Sequence, residues 1–219
     1  MLPAIKGYID GSNVKLTIGF LAGDSSYEIH MSKGDNVSYG VLANVTDTFY
    51  DCGVLEDDMY YFKVKGVTSG LYSPEVFVIN LSDITFRKEI ETVIYQRLKQ
   101  SQTVMDLCEE HIEFANPAIP KAYPSIILWL GNINKDNQSQ WHEMVGLNIK
   151  IFTQDDGTQI SDLSQAINVI LQNWAYEGKE VAISRVVSTG EGSDTLEDDE
   201  RTHSLDLQFV IMTERKNYT

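Results

Sequence analysis

A change of hydrophobic period near residue 82 constrains the fold of this chain more than any other feature of its sequence. In residues 14–18 and in several later runs, apolar residues occupy every second position, which is the spacing of one face of a β-strand. In residues 90–98 the apolar positions follow the 3.6-residue period of an amphipathic helix. The sequence therefore predicts two domains, residues 1–81 and residues 82–219, joined with almost no linker.

The first domain consists of short β-rich runs that alternate with turn residues. Helical periodicity is absent from them, and the turn signals recur at the spacing typical of all-β domains. The predicted strands are residues 14–18, 27–31, 39–45, 48–51, 60–67 and 76–79. We therefore expect an all-β sandwich over residues 1–81.

The motifs of this domain resemble those of fibronectin type III modules in content and order. In chain order they are Ser26-Tyr27-Glu28-Ile29, Thr48-Phe49-Tyr50-Asp51, Val54 six residues before Tyr60, Tyr60-Tyr61-Phe62-Lys63-Val64, and Gly70-Leu71-Tyr72-Ser73-Pro74. The early tryptophan of the family is missing, and Ile18 or Phe20 stands in its place. The resemblance implies an immunoglobulin-like sandwich with Tyr60 as the tyrosine-corner residue, whose hydroxyl bonds to the chain upstream.

The second domain alternates helical and strand patterns. A first helix follows Ser82 or Asp83, either of which suits an N-cap, and a later helix over residues 160–174 is ended by Gly178. Residues 103–114 fit either a second short helix or, at their end, a strand. The predicted strands are residues 125–130, ended by Gly131-Asn132, and residues 141–152, 181–187 and 204–212, with a proline-rich loop at 116–124, a turn at Asp155-Asp156-Gly157 and an acidic loop at 191–201. This order predicts an α+β domain with a mostly antiparallel sheet and two to three helices.

The layout of residues 82–219 resembles the tail-completion and tail-terminator proteins of long-tailed bacteriophages. The matching segments are the helix at 90–98, Ala122-Tyr123-Pro124-Ser125-Ile126-Ile127, the alternating strand and turn at 145–157, the helix at 163–174, and Leu205-Asp206-Leu207-Gln208-Phe209. Residues 101–117 are longer and more polar than the family pattern. The resemblance implies a non-enzymatic virion protein that forms a ring, commonly of six copies, at the tail end or the head–tail junction. It implies tail-tube or connector proteins as partners, and DNA that passes through the lumen without specific binding.

The sequence contains no recognisable catalytic or cofactor-binding motif. The four histidines, at positions 30, 111, 142 and 203, are scattered along the chain. His142-Glu143 lacks the second histidine of a zinc-binding helix and falls on a predicted strand, so we expect a plain exposed pair. Cys52 and Cys108 fall in different domains and are expected to be free thiols. We therefore expect no enzyme activity, no catalytic residues and no cofactor.

The acidic segments carry the only candidate metal ligands in the sequence. Asp155-Asp156-Gly157 lacks the alternating ligands and closing glutamate of a calcium loop, which favours a turn. The loop at 191–201 contains Glu191, Asp194, Glu197, Asp198, Asp199 and Glu200, which could collect a divalent cation. A solvated loop without a metal is the simpler interpretation, and we predict no metal site.

The net charge of −15 repels nucleic acid and anionic lipid at long range. It argues against a protein that grips DNA phosphates, which needs clustered lysine and arginine, but not against one that DNA slides past. The N-terminal residues do not form a signal-peptide pattern, and no apolar run approaches the roughly 20 residues that span a bilayer. We expect assembly in the host cytoplasm and a final location in the virion tail or neck.

Two other functions stay open. The fibronectin-like domain could act as an adhesion or carbohydrate-binding module through Tyr8, Tyr39, Tyr50 or Tyr72, although core and rim packing is the simpler role of these tyrosines. A hydrolase or nuclease would need a carboxylate or histidine cluster that only folding brings together. Asp198 would be the residue on which such a metal-dependent activity relies.

Overall fold

The computed structural model divides the chain into two compact units. Unit 1 comprises Met1–Thr85 with Glu177–Glu180, and unit 2 comprises Phe86–Tyr176 with Val181–Thr219. The described residues are 2–10, 13–20, 22–81, 84–114, 120, 122–135, 142–154, 158–192, 195–196 and 201–215. Each unit has its own sheet structure and is considered by itself.

Unit 1 is a sandwich of two antiparallel sheets. Its strands are β1 (Ala4–Asp10), β2 (Asn13–Gly19), β3 (Tyr27–Lys33), β4 (Gly40–Val45), β5 (Phe49–Val54), β6 (Asp58–Gly66) and β7 (Val76–Asn80). One sheet has the order β1-β2-β5, and the other has the order β4-β3-β6-β7. The inward residues of both sheets form one buried cluster that includes Leu16, Ile18, Ile29, Phe62 and Val64. This cluster explains the period-two pattern, because every second residue of these strands faces the opposite sheet.

Two features of unit 1 bear on the sequence-based expectations. The hydroxyl of Tyr60 donates a hydrogen bond of 3.0 Å to the carbonyl of Glu56, so the upstream bond predicted for Tyr60 is confirmed. Strand β1, which the sequence did not single out, pairs with β2 along its whole length. Of the two residues considered for the place of the family's tryptophan, Ile18 is buried in the core, whereas Phe20 is 43% exposed and stacks on Tyr27 with 4.9 Å between ring centroids.

Unit 2 is an α+β arrangement. Its helices are α1 (Phe86–Lys99), α2 (Gln102–Cys108) and α3 (Thr158–Leu171). Its strands are β8 (Ile112–Phe114), β9 (Ser125–Lys135), β10 (His142–Thr153), β11 (Tyr176–Glu177), β12 (Val181–Glu191), β13 (Thr195–Leu196) and β14 (His203–Arg215). The sheet has the order β11-β12-β14-β10-β9-β8, with β13 beside β14. The pairings of β9, β10, β12, β13 and β14 with one another are antiparallel, whereas β8 runs parallel to β9.

The core of unit 2 lies between the helices and one face of this sheet. Val145, Leu147, Ile149 and Ile151 of β10 are fully buried, as their alternation predicts. Helix α3 packs against β10 and β14, and α1 packs against β12. The buried residues of α3 are Ile160, Leu163, Ser164, Ile167 and Leu171, which recur at helical spacing. The predicted amphipathic helix is therefore present, and its apolar stripe covers the sheet.

Two predicted boundaries in unit 2 are wrong. Strand β9 does not end at Gly131-Asn132 but continues to Lys135, and those two residues lie opposite Gly146 in an irregularity of the β9–β10 pairing. Gly131 allows the two backbones to approach closely and does not form a turn. A Cβ at this position would lie 3.6–3.7 Å from backbone atoms of Gly146. Helix α3 ends at Leu171 rather than at Gly178.

The end of α3 has a local cause. Asn173 has a φ of 59°, a left-handed conformation that asparagine tolerates better than most residues. Its backbone N–H donates 2.9 Å to the carbonyl of Val186 in β12 rather than to the helix. Trp174 therefore follows the helix instead of belonging to its apolar stripe.

Other predictions for unit 2 have mixed outcomes. Both interpretations of residues 103–114 occur, since α2 is followed by β8, and the Ser101 hydroxyl caps α2 by accepting 3.3 Å from the backbone N–H of Val104. Strands β12 and β14 extend beyond their predicted ends. The proposed N-caps Ser82 and Asp83, most of the proline-rich loop, and the Asp155-Asp156-Gly157 turn lie outside the described residues.

Candidate functional site

The residues considered as metal or thiol sites do not come together in the described part of the chain. There, no three His, Cys, Asp or Glu side chains are placed to hold a metal ion.

Cys52 and Cys108 are free thiols, as predicted, and burial raises the pKa of Cys52 to about 12. Glu191 lies at the end of β12 and accepts a hydrogen bond from the Ser164 hydroxyl, whereas Asp194 and residues 197–200 lie outside the described ranges. None of the helices in the described ranges is long and apolar enough to cross a membrane.

Glu143 corrects one expectation from the sequence. It was predicted to belong to an exposed pair with His142, but its side chain is only 2% exposed. The Arg215 guanidinium lies 3.1 Å from its carboxylate and stacks over the Phe86 ring, 4.3 Å from the ring centroid. The alternation of β10 carries Glu143 onto the same face as Val145, and the ion pair with the partly exposed Arg215 accommodates its charge there.

The sequence pattern also did not indicate a second buried carboxylate in unit 2. Glu89 lies on the sheet-facing side of α1 and is fully buried. Its carboxylate accepts 3.1 Å from the backbone N–H of Val181 and 3.1 Å from the Tyr176 hydroxyl. These bonds fasten α1 to the start of β12. The role is therefore structural, and no pattern along the chain would have linked residues so far apart.

The sheet face of unit 2 that is turned away from the helices is the first candidate interaction surface. We call it the open face. The alternation that buries odd-numbered residues of β10 and β14 sends their even-numbered neighbours to this face. Met144 pairs directly with Met212 across the two strands, and both side chains are exposed. The further residues of this face are Trp129, Asn148, Lys150, Arg185, Val187, Asp206, Gln208 and Val210.

The composition of the open face is that of a contact surface with a polar margin. Val210 and Val187 form a cross-strand pair next to the two methionines, so apolar side chains meet near the centre of the sheet. Lys150 lies opposite Asp206, and Asn148 lies opposite Gln208, further along the same strands. Adjoining methionine side chains adapt to many partner shapes, which is why they recur at binding surfaces.

A groove between α2 and α3 is the second candidate, and we call it the α2–α3 groove. It has a volume of about 620 Å³ and is lined by Ser101, Thr103, Asp106, Leu107, Asp162, Gln165, Ala166, Val169 and Ile170. Val169, in the last turn of α3, is 73% exposed. The groove combines an apolar floor with two carboxylates, and no basic residue is among those that line it.

The tyrosines of unit 1 form the third candidate surface. The Lys63 ammonium lies 3.7 Å from the Tyr39 ring centroid and 5.2 Å from that of Tyr72, and His30 meets Tyr72 edge-on. The Tyr39 hydroxyl donates to Glu75, and burial together with this carboxylate raises the Tyr39 pKa. Tyr39 is thus held by contacts within unit 1, Tyr50 packs against the buried cluster, Tyr8 is half-buried, and Tyr72 is 42% exposed.

Comparisons with known proteins give only distant similarities. No protein-family model matches the chain, and no curated protein matches it. A chain in the virion of a native gene transfer agent particle is 16% identical with a TM-score of 0.46, over 55% of this chain and 91% of that one. A structure of titin kinase and its flanking domains is 14% identical with a TM-score of 0.29, over 95% of this chain and 37% of that one. The twitchin kinase region from C. elegans is 12% identical with a TM-score of 0.30, over 97% and 39% of the respective chains. These values are too low to transfer a function to this chain.

Proposed function

We propose that the protein is a structural, non-enzymatic component of a long-tailed bacteriophage virion that forms a ring at the tail end or the head–tail junction. The observation that carries the proposal is the open face of unit 2. A sheet that is covered by helices on one side and presents exposed methionines on the other is suited to bury that second side against other subunits. Enzyme activity is not expected from such a surface.

The order of elements in the sequence supports the choice of a ring. The resemblance of residues 82–219 to tail-completion and tail-terminator proteins implies closed rings, commonly of six copies. The net charge of −15 fits this role, because an acidic lumen would let DNA pass without adhering to it. Tail-tube and connector proteins would be the other partners, and the virion tail or neck would be the location.

We further propose that unit 1 is a fibronectin type III-like module that decorates the particle. Its division into a β1-β2-β5 sheet and a β4-β3-β6-β7 sheet supports this assignment. The hydrogen bond of Tyr60 to the chain four residues upstream supports it as well, since such a tyrosine corner is a hallmark of these sandwiches.

The mass of the purified full-length protein tests the ring. Native mass spectrometry is expected to show a closed oligomer, with six copies giving about six times 24.7 kDa. Replacing Met144 and Met212 together by glutamate should weaken assembly, because it places charges on the apolar part of the open face. Val37→Glu with Val41→Glu, at two exposed positions of unit 1, adds as many charges and should leave assembly unchanged. A protein that stays monomeric and is absent from virions would refute the proposal.

One observation favours the second candidate function, carbohydrate binding by unit 1. The exposed Tyr72 ring lies 5.2 Å from the ammonium of Lys63 and 5.8 Å from that of Lys65, a mixture of aromatic and hydrogen-bonding groups that suits a sugar ring. A glycan array with the full-length chain tests it. Binding that Tyr72→Ala abolishes would support this function, and a blank array would count against it.

A further inference from the structure

We propose that the α2–α3 groove of one copy receives the basic N-terminal end of α1, at Arg87 and Lys88, from the next copy of this chain. The inference rests on the proposed ring and names the residues that join its subunits. It assigns a partner to the groove, and the groove and the basic end are separate surfaces of one unit. Within the proposed ring the contact is head-to-tail.

The groove is built to accept positive charge. Asp106 and Asp162 are among its lining residues and the others are neutral, while Arg97 donates 3.4 Å to the carbonyl of Ile170, one of those others. The Asp106 carboxylate already accepts 2.6 Å from the Gln102 amide, which holds it in place beside the groove. Glu109 and Glu110 follow α2 directly and add further negative charge to this end of the unit. A cationic partner is thus attracted, and an anionic one is repelled.

The N-terminal end of α1 supplies the complementary charge. Arg87 and Lys88 are both exposed, and in the described part of unit 2 no other two consecutive residues are both basic and exposed. Each lies within 4 Å of Glu91, at 3.3 Å and 3.7 Å, so two basic side chains share this one partly exposed carboxylate, while Glu89 of the same turn is buried. The Arg87 guanidinium also donates 3.0 Å to the carbonyl of Leu130 in β9, which directs its side chain.

The two surfaces lie at opposite ends of α1. The helix has 14 residues, which at the usual rise of 1.5 Å per residue separates its ends by about 20 Å. Ser101, the first residue that lines the groove, comes two positions after the helix ends at Lys99. Two surfaces this far apart can meet between copies either twice about a two-fold axis or once at each step around a ring. The proposed ring uses the second, heterologous arrangement, which closes when the rotation between subunits closes.

Side-chain chemistry explains why arginine and lysine suit this groove. Their aliphatic stems can cover the exposed Val169 and the neighbouring Ile170 while their charged ends reach the carboxylates at the margin. Arginine can also bind a carboxylate through two parallel hydrogen bonds. A single contact therefore buries the apolar floor and neutralises its acidic border.

Charge reversal tests the contact. The groove variant carries Asp106→Lys and Asp162→Lys, and the helix variant carries Arg87→Glu and Lys88→Glu. Each should raise the protein concentration at half-assembly by about tenfold or more, because like charges then face each other. An equimolar mixture of the two variants should assemble again, since each groove then meets an α1 end of opposite charge. Asp47→Lys with Asp57→Lys, at exposed positions of unit 1, changes the net charge as much as the groove variant and should assemble at least as readily as the unmodified chain.

The outcomes separate this inference from the proposed function. An unmodified chain that forms no ring contradicts the proposed function. A ring that forms equally well in the unmodified chain and in both variants overturns the groove contact and leaves the ring intact. Loss of assembly in each variant without recovery in the mixture also overturns it, because misfolding or an unrelated surface would then be responsible. Tryptophan fluorescence of each variant reports whether unit 2 is folded.

Discussion

The Glu143–Arg215 pair gives the sharpest prediction for the stability of unit 2. We expect Arg215→Met to destabilise unit 2 by about 2–4 kcal/mol, below the roughly 3–5 kcal/mol of a fully buried pair. The carboxylate is 2% exposed and lies 3.1 Å from the guanidinium, so it loses its charge partner inside the protein. Arg215 itself is 38% exposed, and this partial solvation lowers the expected cost. Methionine still covers the Phe86 ring, so the variant mainly removes charge.

Substitution of the acidic partner should cost less stability. Glu143→Gln leaves no buried carboxylate, and the charge of Arg215, whose side chain is 38% exposed, keeps contact with solvent. We expect a loss of about 1 kcal/mol for this variant. The double variant should cost less than the sum of the two single changes, with a coupling of about 1–2 kcal/mol, because the two groups contact each other directly.

Urea unfolding followed by tryptophan fluorescence measures these free energies of unfolding. The three tryptophans of the chain are at positions 129, 141 and 174, so the signal reports on unit 2 alone. Arg185→Met is the matched control, because that exposed arginine donates 2.9 Å to the neutral amide of Asn173, and its loss should cost about 0.5 kcal/mol or less. A cost below about 1 kcal/mol for Arg215→Met, or strict additivity in the double variant, would refute the reasoning.

Three further predictions concern the stability of unit 1 and can be measured by urea-dependent hydrogen exchange of β6 in the full-length chain. Gly66→Ala should destabilise unit 1 by about 1–3 kcal/mol, since the added Cβ would come within 2.2 Å of the Asp24 carboxylate. The control Gly40→Ala, whose Cβ would meet no atom within 4 Å, should be nearly neutral. Tyr60→Phe should cost about 1 kcal/mol through loss of its hydroxyl bond, and an unchanged stability would contradict a role for that bond. Backbone N–H groups of the following loop hold the Asp35 pKa at about 2, below its unfolded value of roughly 3.9, so its stabilising effect is present above about pH 4 and lost towards pH 2. Asp35→Asn should flatten that part of the pH profile, and an unaltered slope would rule the effect out.

The sequence predicted those parts of the fold that depend on local periodicity. The strands of unit 1 and the apolar stripe of α3 follow directly from which residues face the core. The ends of helices and strands were harder to predict, because glycine occurs both in turns and where two backbones approach closely. At Gly131 it permits close approach to Gly146 within a continuous strand, whereas a turn was the local interpretation.

The candidate surfaces were less predictable than the fold, since each depends on residues that are distant along the chain. Glu143 looked exposed because its partner Arg215 lies at the far end of β14, the neighbouring strand. Helical spacing places Val169 off the buried stripe of α3, but its place in a groove depends on where α2 packs against α3. Pairing across the sheet likewise brings Met144 beside Met212, although 68 positions separate them in the sequence.

The acidity of the chain leads to a last prediction, for the salt dependence of assembly. Copies with a net charge of −15 repel one another over distances at which the groove contact does not yet act. Raising the ionic strength from about 0.01 M to 0.15 M shortens the screening length from roughly 30 Å to about 8 Å, which removes this repulsion while ion pairs within 4 Å are weakened less. We therefore expect the concentration at half-assembly to fall over this range and to rise again towards 1 M salt, when the groove pairs themselves are screened. Light scattering at fixed protein concentration measures the curve. The Asp47→Lys, Asp57→Lys variant should move the first part of it to lower salt, and a steady loss of assembly from the lowest salt upwards would show that mutual repulsion does not limit the ring.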